Sequence, residues 1–113
     1  MPRNMSFMLT KNQIRNKTKT VTRRNGWWFL KSGDILNACE KCQGLKKGEK
    51  IKKMCQIRVR STRPERLFRI TQDECIKEGL PELTPVEFVK FFWLSHKGVT
   101  PASKVNRIEF EYI

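Results

Sequence analysis

Apolar and polar residues alternate with a period of two over several stretches of the chain, which is the pattern of strands with one buried face. Cys55, Ile57 and Val59 are separated by polar residues, and Ile108 and Phe110 alternate with glutamates. Clusters of turn-forming residues bound these stretches. The pattern predicts five strands, at residues 4–9, 20–24, 34–39, 52–62 and 104–112.

Three helices are predicted from the residues that cap them. Thr10, Thr71 and Thr84 are each followed three positions later by Gln or Glu. This spacing lets the two residues satisfy each other's backbone N–H groups in a capping box. The helices are expected to end near Asn16, Gly79 and Gly98, because Asn and Gly tolerate the left-handed conformation that closes a helix.

The order of these elements predicts one α+β domain over residues 1–113. The length of 113 residues allows a single core of modest size. Strands separated by short helices favour a small barrel or curled sheet of about five or six strands, with two or three short helices packed on it. No apolar run approaches the roughly 20 residues that span a bilayer, so no membrane insertion is expected.

The charge of the chain indicates a polyanionic partner. Lys and Arg number 24 against 11 Asp and Glu, which gives a formal net charge of +13. Such an excess repels itself in the folded state, so binding to nucleic acid explains it better than a surface that serves solubility alone. The densest basic tract contains Lys46, Lys47, Lys50, Arg58 and Arg60, where either phosphate contacts or a solvated loop is expected.

The cysteines do not predict a metal site or a cofactor. The first residues lack the apolar core of a secretory signal, so a cytoplasmic protein with reduced thiols is expected. Cys39 and Cys42 form a Cys-x-x-Cys pair, but Cys55 and Cys75 do not form a second one, and structural zinc needs four ligands. His96 is the only histidine and is expected to cap the end of the third helix, where positive charge suits the helix dipole.

The segment from Lys17 to Arg24 has the highest density of candidate functional side chains, because cations and hydroxyls follow one another there. The alternation predicts a strand with Thr20 and Thr22 on one face. Lys17, Arg23 and Arg24 would donate hydrogen bonds to a phosphate or to the oxygens of a nucleobase. We therefore expect this strand to line a binding site.

Two adjacent indoles follow this strand. Trp27 and Trp28 come directly after Gly26, and an exposed indole can stack on a base of single-stranded nucleic acid. Adjacent residues of an extended segment point in opposite directions, so at most one of the two is expected to reach a ligand. Burial in the core is the alternative for each.

The segment Lys19-Thr20-Val21-Thr22-Arg23-Arg24 resembles the Lys-Thr-x-Thr-x-Arg signature of the ASCH domain family. The chain also resembles the small stand-alone phage and bacterial members of that family in several later stretches, which occur in the family's order. These stretches are Gly33-Asp34, residues 44–50, residues 70–81, residues 84–88 and residues 107–110.

The resemblance implies a PUA-like β-barrel with an RNA- or nucleotide-linked role. In the family's small amidohydrolases, which remove the acetyl group from N4-acetylcytidine, activity resides in the Lys and the second Thr of the signature and in a Glu of the helical insert. The matching positions are Lys19, Thr22 and Glu78, with Glu74 one turn earlier. Other members look like RNA binders or ribonucleases. The expected partner is therefore RNA or a nucleotide or nucleoside, bound by a monomer.

The chemistry of these residue types leaves three functions open. A Thr hydroxyl needs a base, and Lys19 could serve if burial and neighbouring cations lower its pKa. Glu78 would oppose that shift but could pass a proton to the leaving amine, while Arg24 could stabilise an oxyanion or hold a phosphate. An ion pair that only ties strand to helix would fit a non-catalytic RNA-binding module. A ribonuclease is the third possibility.

Overall fold

The computed structural model describes residues 2–42 and 45–113, and the core of the fold is a five-stranded sheet. Three α-helices and two short 3-10 helices accompany the sheet. The strands are β1 (Arg3–Ser6), β2 (Val21–Arg24), β3 (Ile35–Cys39), β4 (Lys53–Arg66) and β5 (Lys104–Tyr112). The α-helices are α1 (Lys11–Arg15), α2 (Gln72–Lys77) and α3 (Pro85–Ser95), and the 3-10 helices are Met8–Thr10 and Leu67–Arg69.

The sheet has the order β1-β3-β4-β5-β2. β1 runs parallel to β3, and all other neighbours are antiparallel. The register shifts between Ala38 and Cys39 and again between Val59 and Ser61. Because such irregularities bend a strand and increase its twist, they help to curl the sheet into a half-barrel. The expected α+β class and curled sheet are confirmed.

Two groups of buried apolar side chains hold the domain together. The first fills the inside of the curled sheet and includes Met5, Phe7, Ile57 and Phe110. The second joins α2 and α3 to the sheet through residues that the chain supplies from several distant segments. Its members are Leu67, Ile70, Cys75, Leu80, Phe88, Phe92, Val99 and Val105.

The largest differences between the element bounds and the sequence prediction lie at three ends. β1 stops at Ser6 rather than residue 9, because a 3-10 turn begins at Met8. β4 continues to Arg66 rather than residue 62, because its ladder with β5 extends to the pair Arg66–Lys104. α3 stops at Ser95, three residues before Gly98.

The predicted capping boxes are present to different degrees. Thr84 and Glu87 form the complete reciprocal box. Thr71 caps α2 through its hydroxyl, but the carboxylate of Glu74 bonds arginines instead. The box at Thr10 was predicted wrongly: its side chain makes no cap hydrogen bond, because the preceding 3-10 helix runs directly into α1.

The structure describes the state of the cysteines, the possible metal ligands and the lengths of the helices. All four cysteines are free; Cys39 and Cys75 are buried, and Cys42 and Cys55 are partly buried. In residues 2–42 and 45–113, no His, Cys, Asp and Glu side chains form a group of three or more suited to a metal ion. None of the helices in that part of the chain is long and apolar enough to cross a membrane.

Candidate functional site

The backbone of Lys19 is fixed from three sides at the entrance to β2. Its N–H donates to the carbonyl of Gln13 at 3.2 Å, and the N–H of Thr20 donates to the carbonyl of Lys77 at 2.8 Å. The Tyr112 hydroxyl donates to the Lys19 carbonyl at 2.5 Å. These bonds join α1, the end of α2 and β5 around one residue, so the direction of the Lys19 side chain is determined by tertiary structure.

The side chains of Lys19 and Glu78 form a buried ion pair. The Lys19 ammonium donates to Glu78 Oε1 at 2.6 Å and to the Glu78 carbonyl at 3.0 Å. Both side chains are only 3% exposed. Burial lowers the pKa of Lys19 below its ordinary value; Glu78 opposes this shift, while Arg24 and Arg23 add to it. The lowering favours loss of a proton from the amine, which is the requirement for a base.

A glycine lets the Glu78 segment approach Lys19 closely. Gly79 has φ of +85°, a left-handed conformation that ends α2 and that residues with a Cβ rarely adopt. A Cβ at this position would lie 2.8 Å from Gln13 Cβ and 3.2 Å from Lys19 Cβ. Glycine is therefore needed here for the backbone conformation and for space.

Arg23 connects the ion pair to a wider network of charges. Its guanidinium donates to Glu78 Oε2 at 3.0 Å, to Glu65 Oε2 at 2.7 Å and to Glu74 Oε1 at 2.8 Å. Arg107 donates to the two oxygens of Glu74 at 2.5 and 3.1 Å. Because the Arg23 side chain is fully buried among three carboxylates, the structure places this predicted phosphate contact inside the protein.

The Glu74 carboxylate is strongly held in its ionised form. Hydrogen bonds from Arg107, followed by those from Arg23, lower its pKa to about 2 against the opposite effect of burial. The carboxylates of Glu74 and Glu78 share Arg23 as a partner, and in addition Glu74 contacts Arg107 while Glu78 contacts Lys19.

A cleft of about 230 Å³ opens beside the ion pair. Lys19, Thr22, Arg24 and Glu78 are among the polar residues that line it. Aromatic residues of α3 also line the cleft, together with Met8 and Leu9. The aromatic members are Phe88, Phe91, Phe92 and, just after the helix, His96. A cleft lined by polar groups and aromatic residues is suited to a planar heterocycle.

Thr22 and Arg24 share one face of β2 and contact each other. Arg24 Nε donates to Thr22 Oγ1 at 3.1 Å, and the guanidinium carbon lies 4.6 Å from the centre of the Phe7 ring. Burial lowers the pKa of Arg24 to about 10, partly offset by Glu78 and Cys42. The hydroxyl oxygen of Thr22 therefore accepts from a cation, which stabilises negative charge on that oxygen.

The two indoles that follow β2 have different environments. Trp27 is partly buried against the first core group, and its backbone has φ of +60°. Its carbonyl accepts from Asn106 Nδ2 at 2.9 Å, and the residue lines a groove that Arg24 also lines. Trp28 is 53% exposed and does not line the cleft or that groove.

The remaining predicted cations lie on the surface at some remove from the cleft. Lys17, Lys46, Lys47, Lys50 and Arg60 are exposed, and Arg58 pairs with Glu111 at 3.5 Å. Lys50 lines a second depression that adjoins this groove, and the other five line neither the cleft nor the two depressions. Of the loop residues that resemble the family, Gly44 lies outside the described residues, as does the neighbouring Gln43.

Two features of the site were not predicted from the sequence. Glu65 and Arg107 belong to the network around Arg23 and Glu74, and no local pattern pairs them. His96 stacks on Phe92 with ring centres 3.9 Å apart and lines the cleft, although its position at the end of a helix indicated only a capping role. Its Nδ1 lies 2.9 Å from the Phe92 carbonyl.

Comparison with known proteins supports the fold and leaves the function open. No family model matches the sequence, and no curated protein matches it significantly. Among solved structures, the chain is similar to protein EF3133 from Enterococcus faecalis V583, described under the family model DUF984. The TM-score is 0.67 at 15% sequence identity, and the match covers 100% of this chain and 80% of the other. Identity this low shows a shared small α+β fold only.

Proposed function

We propose that this protein is a PUA-like ASCH domain that binds a modified cytosine base in the Lys19–Glu78 cleft and hydrolyses its N4-acyl group. One observation carries the proposal. The three signature residues Lys19, Thr22 and Arg24 and the distant Glu78 line the same cleft, with a buried contact of 2.6 Å between Lys19 and Glu78.

The shape of the cleft supports a single base as the ligand. Its volume of about 230 Å³ lies below the roughly 300–1,000 Å³ of pockets for drug-sized ligands. The aromatic residues of α3 suit the faces of a pyrimidine, and the polar groups suit its edge. A larger part of a nucleic acid would have to remain outside.

The proposed reaction begins at the Thr22 hydroxyl. Neutral Lys19 takes the hydroxyl proton while Thr22 Oγ1 forms a bond to the acyl carbon. The carbonyl π electrons move onto its oxygen, where Arg24 supplies positive charge. Collapse of this oxyanion breaks the bond between the acyl carbon and N4 of cytosine. The leaving nitrogen takes a proton from Lys19, with Glu78 holding the ammonium in place.

Water completes the cycle. Lys19, again neutral, removes a proton from water as the water oxygen attacks the acyl-Thr22 carbon. The bond from that carbon to Thr22 Oγ1 breaks, and the proton returns to Thr22. The products are cytidine and the free carboxylic acid, so atoms and electrons balance without a redox partner.

Isosteric variants at position 22 test this chemistry. N4-acetylcytidine is incubated with the protein, and cytidine and acetate are measured. Thr22→Val removes the hydroxyl at nearly constant volume, and we expect a loss of about 10²–10⁴ in rate, the usual contribution of assisted proton transfer. Thr22→Ser should retain turnover. Thr20→Val is the matched control, because Thr20 is partly buried but does not line the cleft.

The substrate proposal fails if wild type produces no cytidine, and the role of Thr22 fails if the Val and Ser variants turn over equally. Lys19→Met tests the base, with thermal unfolding measured in parallel because that change leaves Glu78 with Arg23 as its remaining cation. A folded Lys19→Met variant with wild-type turnover would exclude Lys19 from the reaction.

A ribonuclease is the second candidate, favoured by the position of His96. A carbonyl oxygen only accepts hydrogen bonds, so Nδ1 must be the protonated nitrogen in the contact with Phe92. Nε2 of the neutral ring is then free to accept a proton. In this reaction the ribose 2′-oxygen bonds to phosphorus as the bond to the 5′-oxygen breaks. His96 Nε2 takes the 2′-hydroxyl proton, and the Lys19 ammonium protonates the leaving 5′-oxygen.

The products separate the two reactions. Cleavage of an RNA oligonucleotide should give 2′,3′-cyclic phosphate ends, and a 2′-O-methyl version should resist. His96→Gln should abolish cleavage while leaving removal of the N4-acetyl group intact. Release of acetyl without any new phosphate end excludes the ribonuclease.

A further inference from the structure

A positively charged groove leads away from the cleft. It consists of a depression of about 320 Å³ next to the cleft and a second one of about 290 Å³. The first shares Met8 and Arg24 with the cleft, and the two depressions share Met8 and Lys41, so each space adjoins the next. We call the two depressions the basic groove. Its cations are Lys11, Arg24, Lys41, Lys50 and Lys52.

The charge of the basic groove remains positive after its carboxylates are counted. Glu40 and Glu49 also line it. Glu40 is paired with Arg15 at 2.8 Å, outside the residues that line the groove. Glu49 lies 4.0 Å from Lys41 and accepts from the backbone N–H of Lys46 at 2.8 Å. The basic groove therefore contains five cations and two carboxylates, and one of these carboxylates, Glu40, is already paired with an arginine outside the groove.

The junction of cleft and groove is suited to one phosphate and one stacked base. Arg24 lines both spaces and can reach a phosphate at the exit of the cleft. Trp27 also lines the first depression of the groove. Its left-handed backbone and the hydrogen bond from Asn106 to its carbonyl fix the main chain at this residue. Such strain in a residue other than glycine is concentrated at binding sites.

We propose, on the basis of the function proposed for the cleft, that its substrate is a single-stranded RNA rather than a free nucleoside. The reacting base occupies the cleft, the next phosphate lies at Arg24, and the following sugar-phosphate chain runs through the basic groove. Because the cleft is large enough for one base only, the rest of the RNA must lie outside it. The adjoining basic groove carries the positive charge that complements its phosphates. Trp27 stacks on the base next to the reacting one.

Binding and turnover are measured separately to test this. A fluorescein-labelled oligocytidine RNA is titrated at several salt concentrations with wild type, with Lys41→Ala/Lys50→Ala and with Lys90→Ala/Lys104→Ala. The last pair removes the same charge from exposed positions on α3 and β5. We expect the groove variant to bind about tenfold more weakly and to lower the slope of log Kd against log salt by about 1.4, the value for two lost phosphate contacts on a single strand.

The control pair should change affinity less than about threefold, because neither lysine lines the cleft or the basic groove. If both pairs of substitutions weaken RNA binding equally, or if neither pair weakens it, the basic groove is not the RNA-binding surface.

Turnover is compared for the free nucleoside and for an oligonucleotide. Turnover of N4-acetylcytidine as free nucleoside should be the same in all three proteins. The same base within an oligonucleotide should react faster than the nucleoside in wild type, and the groove variant should lose that advantage. If neither substrate is hydrolysed but binding depends on the groove, the proposed chemistry fails and the groove stands. Turnover of the free nucleoside as efficient as that of the oligonucleotide would overturn the RNA substrate.

Discussion

Glu74 provides a direct measure of how much the buried charge network contributes to stability. Its pKa falls from the ordinary 4.5 to about 2 in the folded protein. A shift of one unit corresponds to 1.36 kcal/mol, so ionised Glu74 stabilises the fold by about 3 kcal/mol at neutral pH. The stabilisation is present above the unfolded pKa and is lost as the pH falls towards the folded one. Glu74→Gln removes the titrating group at nearly constant shape.

The assay is urea unfolding of wild type and Glu74→Gln at pH 7 and pH 3. The two free energies of unfolding should differ by about 3 kcal/mol at pH 7 and by about 1.5 kcal/mol at pH 3, because at pH 3 the Glu74 carboxyl is protonated in the unfolded chain but still largely ionised in the folded protein. Contributions of the other carboxylates cancel in the difference. Glu82→Gln is the control, since Glu82 is exposed. A difference that stays constant between the two pH values would refute the reasoning.

Three further measurements address the surroundings of the cleft. Gly79→Ala should destabilise by at least about 1 kcal/mol more than Gly98→Ala, because both backbones are left-handed but only Gly79 would meet Gln13 and Lys19; equal losses in chemical denaturation would contradict this. Thr84→Ala should cost about 1 kcal/mol and Thr84→Ser little, since the hydroxyl caps α3; thermal unfolding measures both. The stability of wild type relative to Lys19→Met should rise between pH 7 and pH 10, measured by urea unfolding.

Much of the strand arrangement could be predicted because its signals are local. Alternation along β4 and β5 and turn residues beside them indicate which face is buried, and the bounds of β2 and β5 agree closely with the observed ones. Their pairing into one curled sheet follows from the need to bury those faces together. At Thr10 the helix begins where it was predicted, but the expected capping hydrogen bond is absent, because a 3-10 turn precedes the helix directly.

Only part of the candidate site could be predicted from the sequence. The spacing of Lys19, Thr22 and Arg24 on β2 suggested one site, and resemblance added Glu78 as a distant member. The network partners of Arg23 and the position of His96 depend on how α2 and α3 pack on the sheet. Local sequence patterns do not determine how the helices pack on the sheet. An aromatic stripe on a helix, for example, is compatible with a buried core and with the side of a cleft. α3 does both: Phe88 and Phe92 belong to the core and also line the cleft.

The sign of the pH dependence at Lys19 separates a base from a simple ion pair. A lysine stabilised mainly by its carboxylate would have a raised pKa in the folded protein, and its stabilisation would be lost only as the pH rises through that value. Burial instead lowers the pKa of Lys19, so the unfolded chain binds more protons below pH 10.5, and stability rises with pH through that range. Arg23 contributes to the lowered pKa of Lys19, because it holds the second oxygen of Glu78 at 3.0 Å and adds positive charge near the amine. The network thus favours a neutral Lys19, and neutral amine is the form that the proposed reaction requires.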